Sequence, residues 1–187
     1  MKNAIINIIL IFVIIISLAT LLPSNINILG RHLWYTPKQL IDYEIVGLGT
    51  SQQVFDRYSF SHITYGIILY YILKCLGFQN TSVLYLAIFL ICLWEYFESR
   101  PFIIKKYSKR QGYENYRNGD SLINIIGDTI SGIFGIYLAN SSDILAISYV
   151  VISEFILFFH KASLIYLTIE AYQIINYVST LDGDNIE

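Results

Sequence analysis

Three stretches of the chain carry ionisable or strongly polar side chains at spacings that would gather them on helix faces. Asp120, Asn124 and Asp128 stand four residues apart, so in a helix they fall within about 80° of one another along roughly 12 Å of axis. Glu95 and Glu98, three apart, also share a face, and His62 follows Asp56 by six residues and Ser59 by three. An imidazole among hard carboxylate oxygens suits binding of a divalent metal, relay of protons, or capture of the polar head of a substrate. The candidate site is therefore His62, Glu95, Glu98, Asp120, Asn124 and Asp128.

The elements that must position these groups are apolar. Of the 187 residues, 55% are hydrophobic and 14% charged, against about 45–50% and about 25% in soluble domains, which nearly excludes a soluble globular protein. The formal charge of -2 leaves no basic excess for a nucleic-acid backbone, so membrane lipids rather than nucleic acid are the expected partners. Cys75 and Cys92 lie in apolar stretches with no CxxC or Cys/His spacing, and neither a disulfide framework nor a zinc knuckle follows from them.

A bilayer core asks for about 20 apolar residues of helix. Five segments meet that need: Ala4 to Leu22, Tyr58 to Phe78, Val83 to Phe102, Ser121 to Leu138, and Ile144 to Phe159. Pro101 favours a kink or an end in the third. A sixth segment, Ala162 to Val178, carries Glu170 and Gln173 and reads equally as a span, a re-entrant piece or a surface helix. The Met-Lys start and Ser17-Leu18-Ala19 resemble a signal peptide, but the apolar run is long enough to be a retained helix. The fold expected is an all-α polytopic transmembrane helix bundle, one integral membrane domain over 1–180 with an acidic tail over 181–187.

Each candidate residue also has a purely structural role open to it. Asp120 and Asp56 could cap the helices they precede. Glu95 and Glu98 could pair with Arg100 at the interface, and His62 could be a hydrogen-bonded packing residue. Asp128 resists this treatment, because it sits mid-segment with no cation near in sequence, where a carboxylate must be protonated or given a partner from another helix. Glu154 is equally deep but isolated. The sixteen tyrosines, with Trp34 and Trp94, are most simply interface-belt and packing residues.

The strings SQQVFDRYSFSHITYG, WEYFESRPFIIKKY and YRNGDSLINIIGD, in this order, resemble uncharacterised protein family 0314, bacterial membrane proteins with domain of unknown function 2585. The resemblance runs from about Gly30 to Glu170. It maps the polar signature of that family onto Ser51, Gln52, Asp56, Ser59, His62, Gly66, Trp94, Glu95, Glu98, Pro101, Tyr107, Gly119, Asp120, Ser121, Asn124 and Asp128. Tyr65 stands where the family usually has a second His, Ser99 where an Asn is common, and Arg100 where a small polar residue is usual. More distantly, Asp and His, then Glu, then Asp and Asn before a Gly-rich helix is similar to the pattern of VanZ-like glycopeptide-resistance proteins. The resemblance implies a multi-pass protein of the bacterial inner membrane and carries no activity with it.

Three classes of function fit. A membrane-embedded enzyme or binding protein would act on a lipid or lipid-linked envelope molecule, its carboxylates holding a divalent metal while His62 or Glu98 handles protons. A small proton-coupled transporter would use Asp128 and Glu154 along its path. A non-catalytic assembly factor would use the buried polar groups only to fix helix packing.

Orientation follows from the cations. Arg31, Lys38, Arg57, Arg100, Lys105, Lys106, Lys109, Arg110, Arg117 and Lys161 fall on one side of the five spans, and only Lys2 and Lys74 on the other. The positive-inside rule puts Lys105 to Arg117 in the cytoplasm and the N-terminus outside. A cysteine introduced at Ser108, with Cys75 and Cys92 replaced, is expected to resist an impermeant thiol reagent in intact spheroplasts and to react after lysis. Labelling before lysis would reverse this topology.

Overall fold

The computed structural model describes residues 40–41, 50–100, 103–104, 119–169 and 172. The first expected span, the basic loop from Lys105 to Arg117, the chain after Tyr172 and the acidic tail lie outside the described residues. The described part is helical, with no strand and one isolated bridge, between Ile41 and Phe55. Four helices, α1 (Arg57–Cys75), α2 (Asn80–Glu98), α3 (Leu122–Ser141) and α4 (Asp143–Phe159), correspond to the second to fifth expected spans.

Their ends follow from local chemistry. Asp56 accepts the backbone N–H groups of Tyr58 and Ser59, and the Ser59 hydroxyl accepts the N–H of Asp56, a reciprocal cap that fixes where α1 begins. At the other end Gly77, with φ +86°, turns the chain so that Phe78 N–H reaches Leu73 O and Gly77 N–H reaches Lys74 O. That turn closes α1 before Phe78, where periodicity alone would have carried it. α2 stops at Glu98 rather than Phe102, because Pro101 disfavours helical backbone at the residue before it. Ser121, not Asp120, caps α3 by accepting Asn124 N–H, and Ser142 both ends α3 and caps α4.

Two of these helices, α2 and α3, are long and apolar enough to cross a membrane. α4 is 17 residues, and α1 carries Arg57, His62 and Lys74 within its length. Much of the outward side of α4 is nonetheless apolar and exposed, including Ile144, Ile147, Val151, Phe155 and Phe159.

α1 and α3 each touch the other three helices, and their contact with one another is the most extensive in the bundle. Glycines make that contact possible. A Cβ at Gly66 would collide with the Gly132 carbonyl, and one at Gly135 with the Ile63 carbonyl, so the two backbones approach with no side chain between them. Gly127 plays the same part against the Val54 carbonyl of the segment before α1. An apolar cluster including Ile67, Leu73, Val83, Ile91, Ile136 and Ala146 fills the bundle beyond the glycine crossing.

Gly66→Ala and Gly135→Ala must each move backbone rather than a side-chain tip, and each is expected to cost about 1–3 kcal/mol in detergent unfolding. Ile147→Ala, on the exposed side of α4, should stay within roughly 0.5 kcal/mol. Equal effects at all three positions would contradict the close crossing.

Candidate functional site

The glycine crossing brings His62, one and a half turns into α1, against α3, while the last turn of α2 presents two glutamates to the same place. His62 Nδ1 lies 3.3 Å from Glu95 Oε1, and His62 Nε2 lies 3.8 Å from Asp128 Oδ2. A ligand atom from each of His62, Glu95 and Glu98 fits within a mutual separation of 4.8 Å. His62 is 8% exposed and Glu95 1%, and Glu98 is half-buried at the helix end. Glu95 faces the His62 ring of another helix, and the Arg100 guanidinium stacks on the Tyr96 ring.

Asp128 is held by a neutral donor from α1, as its depth requires: the Ser59 hydroxyl donates to Asp128 Oδ1 at 2.6 Å. The same hydroxyl oxygen accepts Asp56 N–H at 3.1 Å, so one serine completes the α1 cap and anchors the α3 carboxylate. Asp56 also accepts Ser51 N–H at 2.8 Å, which carries the chain of bonds into the preceding segment.

That segment, 50–56, has no counterpart in the periodicity of the sequence, yet most of it is buried. Ser51 takes a left-handed backbone conformation at φ +59°. Such a conformation costs a β-carbon-bearing residue roughly 1–2 kcal/mol. Bonds to the start of α3 hold the segment in place. Ser121 N–H donates to Ser51 O at 3.0 Å, the Ser121 hydroxyl to Gln52 O at 2.9 Å, and Asn124 Nδ2 to Gln53 O at 2.9 Å. Gln52 Nε2 in turn donates to Gly119 O at 3.1 Å.

Of the six expected site residues, His62, Glu95, Glu98 and Asp128 therefore meet. Asp120 is buried one residue before the α3 cap, close enough for its charge to act on Glu95, Glu98 and Asp128. Asn124 is fully buried but spends its amide on the Gln53 carbonyl, so it braces the wall of the site. Two aromatic residues singled out in the sequence pair across α1 and α2. The Trp94 ring, in the last turn or so of α2, lies 6.0 Å from that of Tyr65 on α1.

Glu154 belongs elsewhere. Its two oxygens accept the N–H groups of Leu164 at 3.1 Å and Ile165 at 3.3 Å, at the start of the helical stretch 164–169, and Ser163 accepts Tyr166 N–H beside them. A carboxylate on the free N–H groups of a helix start is a structural cap. The helical stretch is thus tied back to α4.

The chain is similar to known proteins. Residues 26–176 match the family described as "Protein of unknown function (DUF2585)". The chain belongs to that family. Relatives named "UPF0314 protein" include one from Sphingopyxis alaskensis, 36% identical over 91 residues, covering 48% of each chain. Another, from Brucella anthropi, is 31% identical over 91 residues, 48% of this chain and 46% of that one. A third, from Novosphingobium aromaticivorans, is 36% identical over 85 residues, 42% of either chain. The matched regions span about half the length of these curated relatives. No solved structure matches.

Glu154→Ala should free the two N–H groups it accepts. Hydrogen exchange read by mass spectrometry is expected to quicken at Leu164 and Ile165 by about five- to thirty-fold, the equivalent of a lost cap of about 1–2 kcal/mol, with no change over 57–75. Unaltered exchange at Leu164 and Ile165 would remove the capping role.

Proposed function

We propose that the chain is a multi-pass protein of the bacterial inner membrane, with five spans, whose His62, Glu95, Glu98 and Asp128 act on the polar head of a lipid or lipid-linked envelope molecule. The observation that carries this is where the groups meet. Glu98 ends α2, His62 lies five residues inside α1 and Asp128 six residues inside α3. At 1.5 Å per residue all of them sit within about 10 Å of one end of the bundle. That is the depth of the boundary between headgroups and acyl chains, where a lipid presents its polar head while its tails stay in hydrocarbon. Under the orientation set by the cations this end faces the cytoplasm.

Two further observations support the reading. The exposed apolar residues of α4, Phe155 and Phe159 among them, would be costly in water and are at home against lipid tails. The imidazole between two carboxylates is a group able to take and return a proton, work worth typically 10²–10⁴ in rate when it is placed on a reacting atom. Transport coupled to protons through Asp128 and Glu154 draws no support, since Glu154 is occupied as a helix cap.

One alternative has an observation in its favour. Asp56, Ser59 and Asp128 form a continuous chain of bonds between the pre-α1 segment, α1 and α3, which is also what an assembly factor would need from buried polar groups. The two readings part at Asp128. Lipid extracts of cells lacking the protein are expected to show one polar-headed species changed in abundance, restored by the wild-type gene. Asp128→Asn and Glu98→Gln should reach the membrane in normal amounts yet restore it at least tenfold less well, as removal of an acid–base group implies. If Asp128→Leu restores it fully, the carboxylate is packing and the assembly reading replaces this one.

A further inference from the structure

We propose that His62 Nδ1, Glu95 and Glu98 ligate a single divalent transition ion of the zinc kind, with Asp128 holding the far nitrogen of the His62 ring. The proposal deepens the reading of the same site but stands on ligand geometry alone. Its first ground is a pair of buried polar atoms. His62 Nδ1 and Glu95 Oε1 are both shielded from solvent, face each other, and make no hydrogen bond to any group. Buried polar atoms in folded proteins nearly always have a partner, and these two share an unfilled need for one.

Their separation says what the partner is. Two ligands bound at about 2.0–2.1 Å on adjacent corners of a tetrahedron lie about 3.3–3.4 Å apart, and His62 Nδ1 and Glu95 Oε1 lie 3.3 Å apart. Glu98 supplies a third oxygen within the same 4.8 Å cluster, at the half-buried rim, which leaves the fourth position toward the membrane interface. Three protein ligands and one open position is the arrangement of catalytic rather than structural zinc. One nitrogen and two oxygens favour a first-row transition ion over Mg2+ or Ca2+, which take oxygen ligands and larger coordination numbers.

The surroundings match what such a site needs. Metal-bound histidines almost always give their other ring nitrogen to a carboxylate or carbonyl. Here His62 Nε2 faces Asp128 at 3.8 Å, a small ring rotation from a hydrogen bond, and Asp128 is itself pinned by Ser59. Charge points the same way: Glu95, Glu98 and Asp128 are gathered around one imidazole, and a divalent ion would offset two of the three negative charges. Asp128 is on this account a positioning residue and not a ligand.

The test uses the full chain purified in detergent with lipid, offered Zn2+ or Co2+ and freed of unbound ion on a desalting column. Elemental analysis should find about one ion per chain, and bound Co2+ should give the intense visible absorption of a four-coordinate site. His62→Ala, Glu95→Gln and Glu98→Gln are expected to lose it. Glu98 lies at a helix end, so its variant keeps the test alive if the buried ones fail to fold. Asp128→Asn should keep the stoichiometry with affinity weakened ten- to hundredfold, and Ser141→Ala, at the far end of α3, should match the wild type. A helical wild-type protein that neither carries nor takes up either ion would overturn the proposal, as would Glu95→Gln or Glu98→Gln binding it as the wild type does. A metal-free protein that still restored the lipid species would sink the metal site and leave the lipid reading standing.

Discussion

The close approach of α1 to α3 is the constraint on which the other features depend. It exists because Gly66 and Gly135 put no side chain between two backbones, and the carbonyls of Gly132 and Ile63 occupy the space that a Cβ would need. Helices that cross at this distance place residues one turn from the crossing into direct contact. His62 is one turn before Gly66, and Asp128 one turn before Gly132, so the same crossing that packs the bundle sets imidazole against carboxylate. In a lipid surrounding, where apolar packing between helices gains nothing over contact with acyl chains, small residues and interhelical hydrogen bonds take over the work of association.

Stability and chemistry pull against each other at this site. Burial of Glu95 and Asp128 is unfavourable unless they are given partners, and the protein sets the His62 ring between them and the Ser59 hydroxyl on Asp128. The segment 50–56 bears part of the strain. Its left-handed Ser51 and its buried carbonyls are tolerable because Ser121 and Asn124 satisfy them, which in turn fixes the start of α3 and hence the depth of Asp128. Polar residues that look like a list of candidates in the sequence thus divide into a set that meets around His62 and a set that braces it.

The apolar runs made the helices legible from the residues alone, and the four-residue step from Asn124 to Asp128 put those two on one face of α3, whereas Asp120 lies before the cap and outside the helix. What periodicity could not supply was the boundary chemistry. Gly77 ends α1 by a backbone turn whose hydrogen bonds are formed only in three dimensions, and Ser121 rather than Asp120 caps α3 because its hydroxyl is the one that reaches Asn124 N–H. The role of Asn124 was hidden for the same reason: its partner, the Gln53 carbonyl, lies 71 residues away in a segment with no regular pattern. Glu154 looked like a deep isolated acid because its partners are backbone N–H groups ten and eleven residues on, which side-chain chemistry never advertises.

The central claim is that side chains from different helices act as one unit at the His62 cluster. A double-mutant cycle between His62 on α1 and Glu95 on α2, made with His62→Ala and Glu95→Ala and read from unfolding in lipid-containing detergent, tests it most directly. Residues in direct contact couple by about 0.5–3 kcal/mol, and a 3.3 Å buried pair is expected in the upper half of that range. Additive effects, agreeing within roughly 0.3–0.5 kcal/mol, would mean that the two residues do not meet and would contradict the account.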